Sequence, residues 1–318
     1  MFHYAGLRLM VEQGMDNQLT RLAKHWMGVF RNAATYWLES NAFANAGSLA
    51  FFTLFSIAPV MIVIVSVIGI FYGQEAAEGQ IALQLQETLG AEAAQTVQTA
   101  IAQSSLKEGG LLATITGLAA MLLGATTVFG QMQNSLNAIW GVVPKPSRNS
   151  LFLLLRKRLT SLTIVLAVGF VMLVSLSLSV GLRILLGHVQ GWLPWYDVAF
   201  SLFDTVLSIL VASLLFGTIF KVLPDVQLSW RDVALGSLLT ALLFTVGRVL
   251  IALYLSKTAT ASTYGAAGSL VLLLLWVNYS SLILLFGAAF TKAHLLARGL
   301  PVRPRSVAVR VHRELIED

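Results

Sequence analysis

The chain has 318 residues, of which 57% are apolar and only 11% are charged. A soluble domain carries about 25% charged residues, so this chain has too few polar side chains to coat a water-facing surface. This composition excludes an ordinary soluble enzyme and a disordered chain. The lack of cysteine excludes a disulfide framework and a thiolate nucleophile. The sequence therefore predicts a membrane protein.

Residues 1–44 precede the first long apolar run and form a separate N-terminal segment. They contain no apolar core followed by small cleavage-site residues, so we expect no cleavable signal peptide. Within residues 18–40, apolar side chains recur every three or four positions with Arg21, Lys24 and Arg31 among them. This period predicts an amphipathic helix. Two placements fit equally well: on an anionic membrane surface, or against other parts of the protein.

Six mainly apolar runs are long enough to cross a bilayer, whose hydrocarbon core of about 30 Å needs roughly 20 apolar residues per helix. They cover residues 45–72, 111–140, 159–186, 197–220, 233–256 and 266–290. The runs predict an all-α fold with a six-helix transmembrane domain over residues 45–297. The acidic outer loop, residues 73–109, has apolar residues that step by four, so we expect helices there that cover the bundle.

The basic residues predict the orientation of the helices. Of the 21 lysines and arginines, 17 fall before the first run, in the second and fourth connections, and in the tail from Lys292 onward. Because positive loops are retained in the cytoplasm, we predict a bacterial inner-membrane protein with both termini inside and a basic tail over residues 298–318. Anionic headgroups are the expected partners of these loops, and the charge needs no nucleic acid to explain it.

No catalytic or cofactor-binding motif is present. A metal-dependent hydrolase needs two or three ligands that converge on one ion, but the five histidines fall in separate segments and are not spaced as ligands. They are His3, His25, His188, His294 and His312. The phosphate loop, the nucleophile elbow and the dinucleotide fingerprint are also missing. We expect no metal, no cofactor and no catalytic residue; a partner subunit could supply energy, and a homo-oligomer stays open.

Asp204 and Arg248 are ionisable residues inside the fourth and fifth runs. A charge in a membrane is costly and marks a functional or structural site. Each lies about eight residues, or roughly 12 Å, from the outer end of its run, so we expect the two at matching depth. Three interpretations stay open: a buried ion pair that fixes helix register, a direct role in handling substrate or protons, and extension of Arg248 toward the surface.

Uncharged polar residues are concentrated toward the inner ends of the first two runs. Amides and hydroxyls are costly against lipid, so they should meet each other, the backbone or water. A water-filled vestibule between these spans and hydrogen bonds that join helices both fit. The candidate residues are Asn45, Ser48 and Ser56 before a possible kink at Pro59, then Thr127, Gln131, Asn134 and Asn137, and finally Asn278, which is isolated in the sixth run.

Four motifs resemble the YihY/BrkB family of bacterial inner-membrane proteins. They are SLAFFTLFSIAP at 48–59, NAIWGV at 137–142, LPDV at 223–226, and YGAAGS at 264–269 followed by LLLW at 273–276. The resemblance covers about residues 25–297 and implies six membrane helices with a transport or envelope role. The family also carries an old label as a tRNA-processing ribonuclease, for which this sequence offers no ligand cluster.

One position departs from the family pattern. Where the resemblance implies Gly-Ala-Glu late in the sixth run, this chain has Gly287-Ala288-Ala289 and lacks the carboxylate. With so few charges in its spans, the bundle is poorly equipped to coordinate small ions. The leading hypothesis is therefore a non-enzymatic transporter, or a protein that handles a lipid or another amphipathic molecule. The alternative is an envelope scaffold that transports nothing.

Overall fold

The computed structural model describes residues 2–56, 127–145, 196–257 and 266–311, together with residues 83, 86, 94, 95 and 99. Most of these residues are helical. Six helices are described: α1 (Phe2–Glu39), α2 (Ala42–Ser56), α3 (127–140), α4 (Tyr196–Val222), α5 (Trp230–Lys257) and α6 (Ala266–Ala297). Two short strands, β1 (Val142–Pro144) and β2 (Ala308–Arg310), pair antiparallel.

Three of the described helices are long and apolar enough to cross a membrane. Their apolar stretches are Leu202–Val222 in α4, Trp230–Ile251 in α5 and Leu270–Ala297 in α6. They correspond to the fourth, fifth and sixth predicted runs. The third run and most of the first two lie outside the described residues, as does all of the predicted outer loop except the five single positions.

The outward faces of these helices are apolar. Large side chains such as Leu210, Val249 and Leu275 are more than half exposed. In water such exposure would forfeit about 25 cal/mol for each Å² of apolar surface, whereas lipid tails are themselves apolar and impose no such cost. These faces are therefore suited to contact with lipid.

The helices pack in the order α4, α5, α6, α1, each against the next. Helix α1 lies on α6 through Val29 and Ala33, which are buried against Phe290 and Ala293. The Trp37 indole adds a hydrogen bond of 3.2 Å to the Leu282 carbonyl oxygen. Of the two placements that the sequence left open, packing against the protein is therefore present on this face of α1.

Helices α5 and α6 approach each other through two glycines and two threonines. A Cβ added at Gly236 would overlap Thr291, and one added at Gly287 would overlap Thr240, so each threonine fills the space above the glycine of the other helix. Each hydroxyl also donates back to its own helix, Thr240 to the Gly236 carbonyl at 2.6 Å and Thr291 to that of Gly287 at 2.7 Å. The hydroxyls of Thr240 and Thr291 thus both have an acceptor, so both side chains can lie in an apolar contact between helices.

The main core cluster contains residues of all five helices from α2 through α6 and lies near one end of the bundle. Its most buried members include Ala46, Leu136, Phe220, Val233 and Leu285, one from each helix. At this end α4 stops, α5 begins and α6 stops. Lys221, Arg231 and Arg298 lie there, and we call it the basic end.

Candidate functional site

The last turn of α3 contributes the first residue of the candidate site, Asn137. Gly141 follows the helix with a φ of 66°, a conformation that costs a glycine little. Its N–H donates to the Ala138 carbonyl at 3.2 Å, which closes the helix, and the chain then enters β1 directly. This geometry brings Asn137, in the last turn, to the connection between α4 and α5.

Asn137 and Asp225 bind each other twice. The Asn137 Nδ2 donates to Asp225 Oδ2 at 2.8 Å, and the Asp225 backbone N–H donates to Asn137 Oδ1 at 2.8 Å. Gln133 Nε2 donates to the second carboxylate oxygen at 3.2 Å. Both side chains of the central pair are buried, with exposed fractions of 3% and 6%. Among the described residues no cation lies within 4.0 Å of this carboxylate, so neutral amides alone stabilise it.

The segment after α6 crosses the basic end. Gly299, with a φ of 72°, ends the helix, and the N–H groups of Gly299 and Leu300 close its last turn on the Leu296 and Leu295 carbonyls. The chain then runs past the connection between α4 and α5, and β2 pairs with β1. The predicted tail is therefore joined to the bundle as far as residue 311.

Arg305 fastens this segment to the end of α4. Its guanidinium donates to the carbonyl oxygens of Lys221 at 2.8 Å, Val222 at 3.1 Å and Val226 at 3.2 Å. Its backbone N–H donates to the Asp225 carbonyl at 2.9 Å. The last carbonyls of a helix have no partner within the helix and carry partial negative charge, so a guanidinium is a suitable cap for them.

Lys292 joins three elements at the same end. Its Nζ donates to the Ile139 carbonyl of α3 at 2.7 Å and lies 4.2 Å from the centre of the Tyr36 ring of α1. These two contacts stabilise the ammonium group where the last turns of α6 pack against α3 and α1. A cavity of about 250 Å³ lies beside it and is lined also by Glu39 and Gly141.

A larger cavity of about 440 Å³ lies between the end of α4, the start of α5 and the segment after α6. Its lining includes the basic residues Lys221, Arg303 and Arg305 and the apolar residues Leu228, Leu295 and Leu300. Asp232 also lines the cavity. Its carboxylate accepts hydrogen bonds from the backbone N–H and the hydroxyl of Ser229 and forms an ion pair of 3.3 Å with Arg298.

The structure separates the predicted polar stripe of α3. Asn137 is buried in the site, whereas Asn134 is exposed, Gln131 is half-buried and Thr127 is exposed. A step of three residues turns a helix by about 300°, so a stripe built on such steps drifts by about 60° each time. The partner of Asn137 is the connection between α4 and α5, not the first span.

Two of the candidate polar residues of α2, Asn45 and Ser56, form hydrogen bonds within their own segment. Asn45 Nδ2 donates to the Ser40 carbonyl at 2.8 Å, at the start of the helix. The buried Ser56 hydroxyl donates to the Phe52 carbonyl one turn earlier at 2.9 Å. Ser48 is half-buried. Asn45 and Ser56 therefore need no vestibule to satisfy them. Pro59 lies outside the described residues.

Asn278 keeps an unsatisfied acceptor inside the apolar stretch of α6. Its Oδ1 atom is buried and has no hydrogen-bond partner in the part of the chain that the structure describes. Leu285 and Ala289, seven and eleven residues further along, lie on the same helical face and are fully buried. A polar atom therefore lies on a helical face that carries buried apolar side chains further along.

The predicted ion pair between Asp204 and Arg248 is absent: the ion pair among the described side chains is that of Arg298 with Asp232. The expected matching depth agrees with the packing. Ser213 and Ser237 meet at 3.3 Å between α4 and α5, and Asp204 and Arg248 lie nine and eleven residues beyond them toward the other end. Nine residues turn a helix by half a revolution, so Asp204 lies on the far side of α4 from α5.

Sequence reasoning missed Gln133, Asp225, Lys292 and Arg305 as members of the site. The LPDV motif was a usable signal for Asp225, because a proline between two spans marks a tight connection and an acidic residue there needs donors. For Arg305 no signal existed, since its acceptors are backbone carbonyls that every sequence has.

The comparisons with known proteins agree on a family. A family profile described as "Virulence factor BrkB" matches residues 33–305. A UPF0761 membrane protein of Tolumonas auensis is 30% identical over 77% of this chain and 78% of its own length. One of Psychromonas ingrahamii is 28% identical over 80% of this chain and 82% of its own length. A third, of Saccharophagus degradans, is 28% identical over 83% of this chain, which spans only 58% of that relative.

No solved structure matches the chain. The family match begins within α1 and ends at residue 305. It therefore covers α2 to α6 and leaves out the N-terminal part of α1 and the last residues of the segment after α6. The relatives are named membrane proteins, and the described helices have the length and apolarity that a membrane requires. The chain is therefore a membrane protein that belongs to the BrkB family, together with the UPF0761 membrane proteins.

Proposed function

We propose that the protein is a six-span inner-membrane protein that binds and moves a lipid-like, amphipathic molecule and is not an enzyme. The observation that carries this proposal is the unsatisfied Asn278 Oδ1 atom on an apolar face of α6. An unpaired buried acceptor costs about 1–3 kcal/mol, and a native structure rarely keeps one without a reason. A cargo with a hydroxyl or amide donor and an apolar body would satisfy it.

The charges of the described spans support the same class of cargo. Asp204 and Arg248 do not pair with each other. The other charged residues of these helices fall at the basic end or in a terminal turn at the opposite end, where Asp197 lies in the first turn of α4 and Lys257 ends α5. Small ions need several charged or carbonyl ligands that converge, which a lipid-like cargo does not. The buried Ala289, where the family resemblance implies a carboxylate, removes one more ion ligand.

A scaffold that transports nothing is the second candidate, and the contact between α5 and α6 favours it. Two helices that interlock through Gly236, Thr240, Gly287 and Thr291 resist separation, so no cargo passes between them. The two candidates differ at Asn278. A scaffold gains stability when an unsatisfied amide becomes apolar, and it loses nothing else.

The Asn278→Leu variant separates these candidates. We expect it to be at least as stable as the parent in detergent, and to move a fluorescent phospholipid between leaflets of proteoliposomes at least about tenfold more slowly, a change of about 1.4 kcal/mol in the barrier. The matched control is Asn134→Leu, which makes the same exchange at an exposed amide of α3 and should keep the parent rate. Parent protein no faster than protein-free vesicles would refute lipid movement.

Helix α1 supports a membrane-surface placement besides its contact with α6. Its buried face centres on Val29 and Ala33, the exposed Met27 and Leu38 lie roughly 120–180° away, and Arg31 lies on the far side from α6. Apolar side chains beside a basic face suit the boundary between headgroups and acyl chains. We propose that this side of α1 lies on the anionic inner surface.

The same orientation predicts the labelling of single cysteines, since the parent chain has none. With both termini in the cytoplasm, Gln95→Cys should react with an impermeant thiol reagent in intact spheroplasts, and Ser306→Cys should react only after permeabilisation. Both positions are exposed, so access within the protein does not limit either reaction. Reaction of Ser306→Cys in intact spheroplasts would reverse the orientation.

A further inference from the structure

We propose that the 440 Å³ cavity at the basic end binds the phosphate headgroup of an anionic phospholipid, with Lys221 and Arg303 as its cationic contacts. The inference rests on the proposed lipid handling for the class of ligand but not on transport. A volume of this size falls in the range of about 300–1,000 Å³ that small-molecule sites occupy.

The charges that line the cavity are not equally available. Asp232 accepts hydrogen bonds from Ser229 and forms an ion pair with Arg298, which offsets its negative charge. The guanidinium of Arg305 is committed to three backbone carbonyls. In the described part of the chain, neither Lys221 nor Arg303 has an acidic group within 4.0 Å. Lys221 and Arg303 therefore line the cavity without an acidic partner in contact, while Asp232 is paired with Arg298, which is outside the lining.

The cavity is bordered by the ends of two apolar helices, where the headgroups of a bilayer are expected. Lys221 is in the last turn of α4 and Trp230 is the first residue of α5, so both mark the end of a span. The Lys221 Nζ lies 4.4 Å from the centre of the Trp230 ring, which is half exposed. Tryptophan is enriched at the boundary between acyl chains and headgroups, where its ring is apolar and its N–H meets water.

The basic and the apolar residues of the lining suit the two parts of a phospholipid. A phosphate accepts charge-assisted hydrogen bonds from an ammonium and a guanidinium, which are among the stronger bonds of a protein surface. Leu228, Leu295 and Leu300 offer the start of the acyl chains an apolar surface. Basic pockets between membrane helices are known to bind anionic lipid headgroups. A free phosphate would use only the basic residues.

The test compares ligands that share one feature at a time. Protein freed of lipid in a neutral detergent is titrated with dioctanoyl phosphatidylglycerol, dioctanoyl phosphatidylcholine and inorganic phosphate. We expect the first to bind at least about tenfold more tightly than the other two. Equal affinity for both lipids would overturn the proposal, and inorganic phosphate that binds as tightly as phosphatidylglycerol would assign the cavity to a free anion.

The variants locate the preference. The double variant Lys221→Gln/Arg303→Gln should lose the tenfold preference, and its melting temperature without lipid should match that of the parent. Arg231→Gln removes one charge at the same end from an exposed residue outside the cavity lining and should keep the preference. An equal loss in Arg231→Gln would show that charge alone attracts the lipid, which would overturn the assignment to this cavity.

Leaflet transfer measured on the same variants separates this proposal from the proposed function. If the parent binds phosphatidylglycerol with the expected preference but moves no lipid, the cavity is a lipid site and transport fails. If the parent moves lipid but shows no preference, transport stands and the headgroup site fails.

Discussion

Asp225→Ala is expected to lower the free energy of unfolding by about 3 kcal/mol. The substitution leaves Asn137 Nδ2 buried without its acceptor and removes the second bond from Gln133. Hydrogen bonds to a charged group contribute about 1.5–3 kcal/mol, and a stranded buried donor adds its own desolvation cost. The measurement is thermal or denaturant unfolding of the detergent-solubilised protein.

Asp232→Ala is the matched control for this experiment. It removes an aspartate seven residues away, at the start of α5, where the carboxylate caps the helix through Ser229 and pairs with a half-exposed Arg298. The loss of such a cap and a surface ion pair costs about 1 kcal/mol. The double variant Asn137→Ala/Asp225→Ala should lose less stability than the sum of the two single variants, because the side-chain bond between the two residues is lost only once, although the backbone N–H of residue 225 also loses its acceptor. A loss in Asp225→Ala no greater than the control would contradict the role of this network.

Gly287→Ala is expected to destabilise the protein by about 1–3 kcal/mol, the range for overfilling a packed contact. The new methyl would overlap Thr240 Oγ1 and lie 3.0 Å from Thr240 Cβ and 3.1 Å from Phe220 Cζ. Rotating the threonine relieves only the first contact and breaks its bond to Gly236. The helices must therefore separate, which should appear as a lower melting temperature and a smaller fraction of folded protein.

Two further variants test the cause of that loss. Thr240→Ala/Gly287→Ala removes the overlapping hydroxyl but keeps the Cβ of residue 240 and the Phe220 ring beside the new methyl, so it should recover part of the stability. Gly130→Ala in α3 introduces the same methyl at a helical position with no atom within 4 Å and should be neutral or stabilising by up to about 1 kcal/mol. If Gly287→Ala matches Gly130→Ala in stability, the close contact between α5 and α6 is not present in the protein.

Hydrophobicity and length predicted the described spans closely. The predicted runs 197–220 and 233–256 differ from α4 and α5 by no more than three residues at any end. Helix α6 continues seven residues beyond its predicted end, because Lys292 marks a boundary in the sequence but finds a carbonyl and an aromatic ring in the fold. A count of apolar residues cannot see such tertiary partners.

The candidate site was less accessible from the sequence, because depth and rotation about a helix axis are independent. Counting residues placed Asp204 and Arg248 at the same depth. Which side of α4 faces α5 is set by contacts between the two helices, such as that of Ser213 with Ser237. Asn137 was identified from its polarity, whereas its partner Asp225 is 88 residues away. Hydrophobic periodicity describes each helix alone and contains no information on how two helices are turned toward each other.

The cap that Arg305 places on α4 imposes an order on biosynthesis. The ribosome adds Lys221, Val222 and Val226 to the chain some eighty residues before it adds Arg305. Until then, water, lipid headgroups or the insertion machinery must satisfy those carbonyls. All described helices have been translated by that stage, so the closing step is an association of finished parts rather than part of insertion. A pause or cleavage of the nascent chain before Arg305 would thus leave an inserted bundle whose basic end is still open.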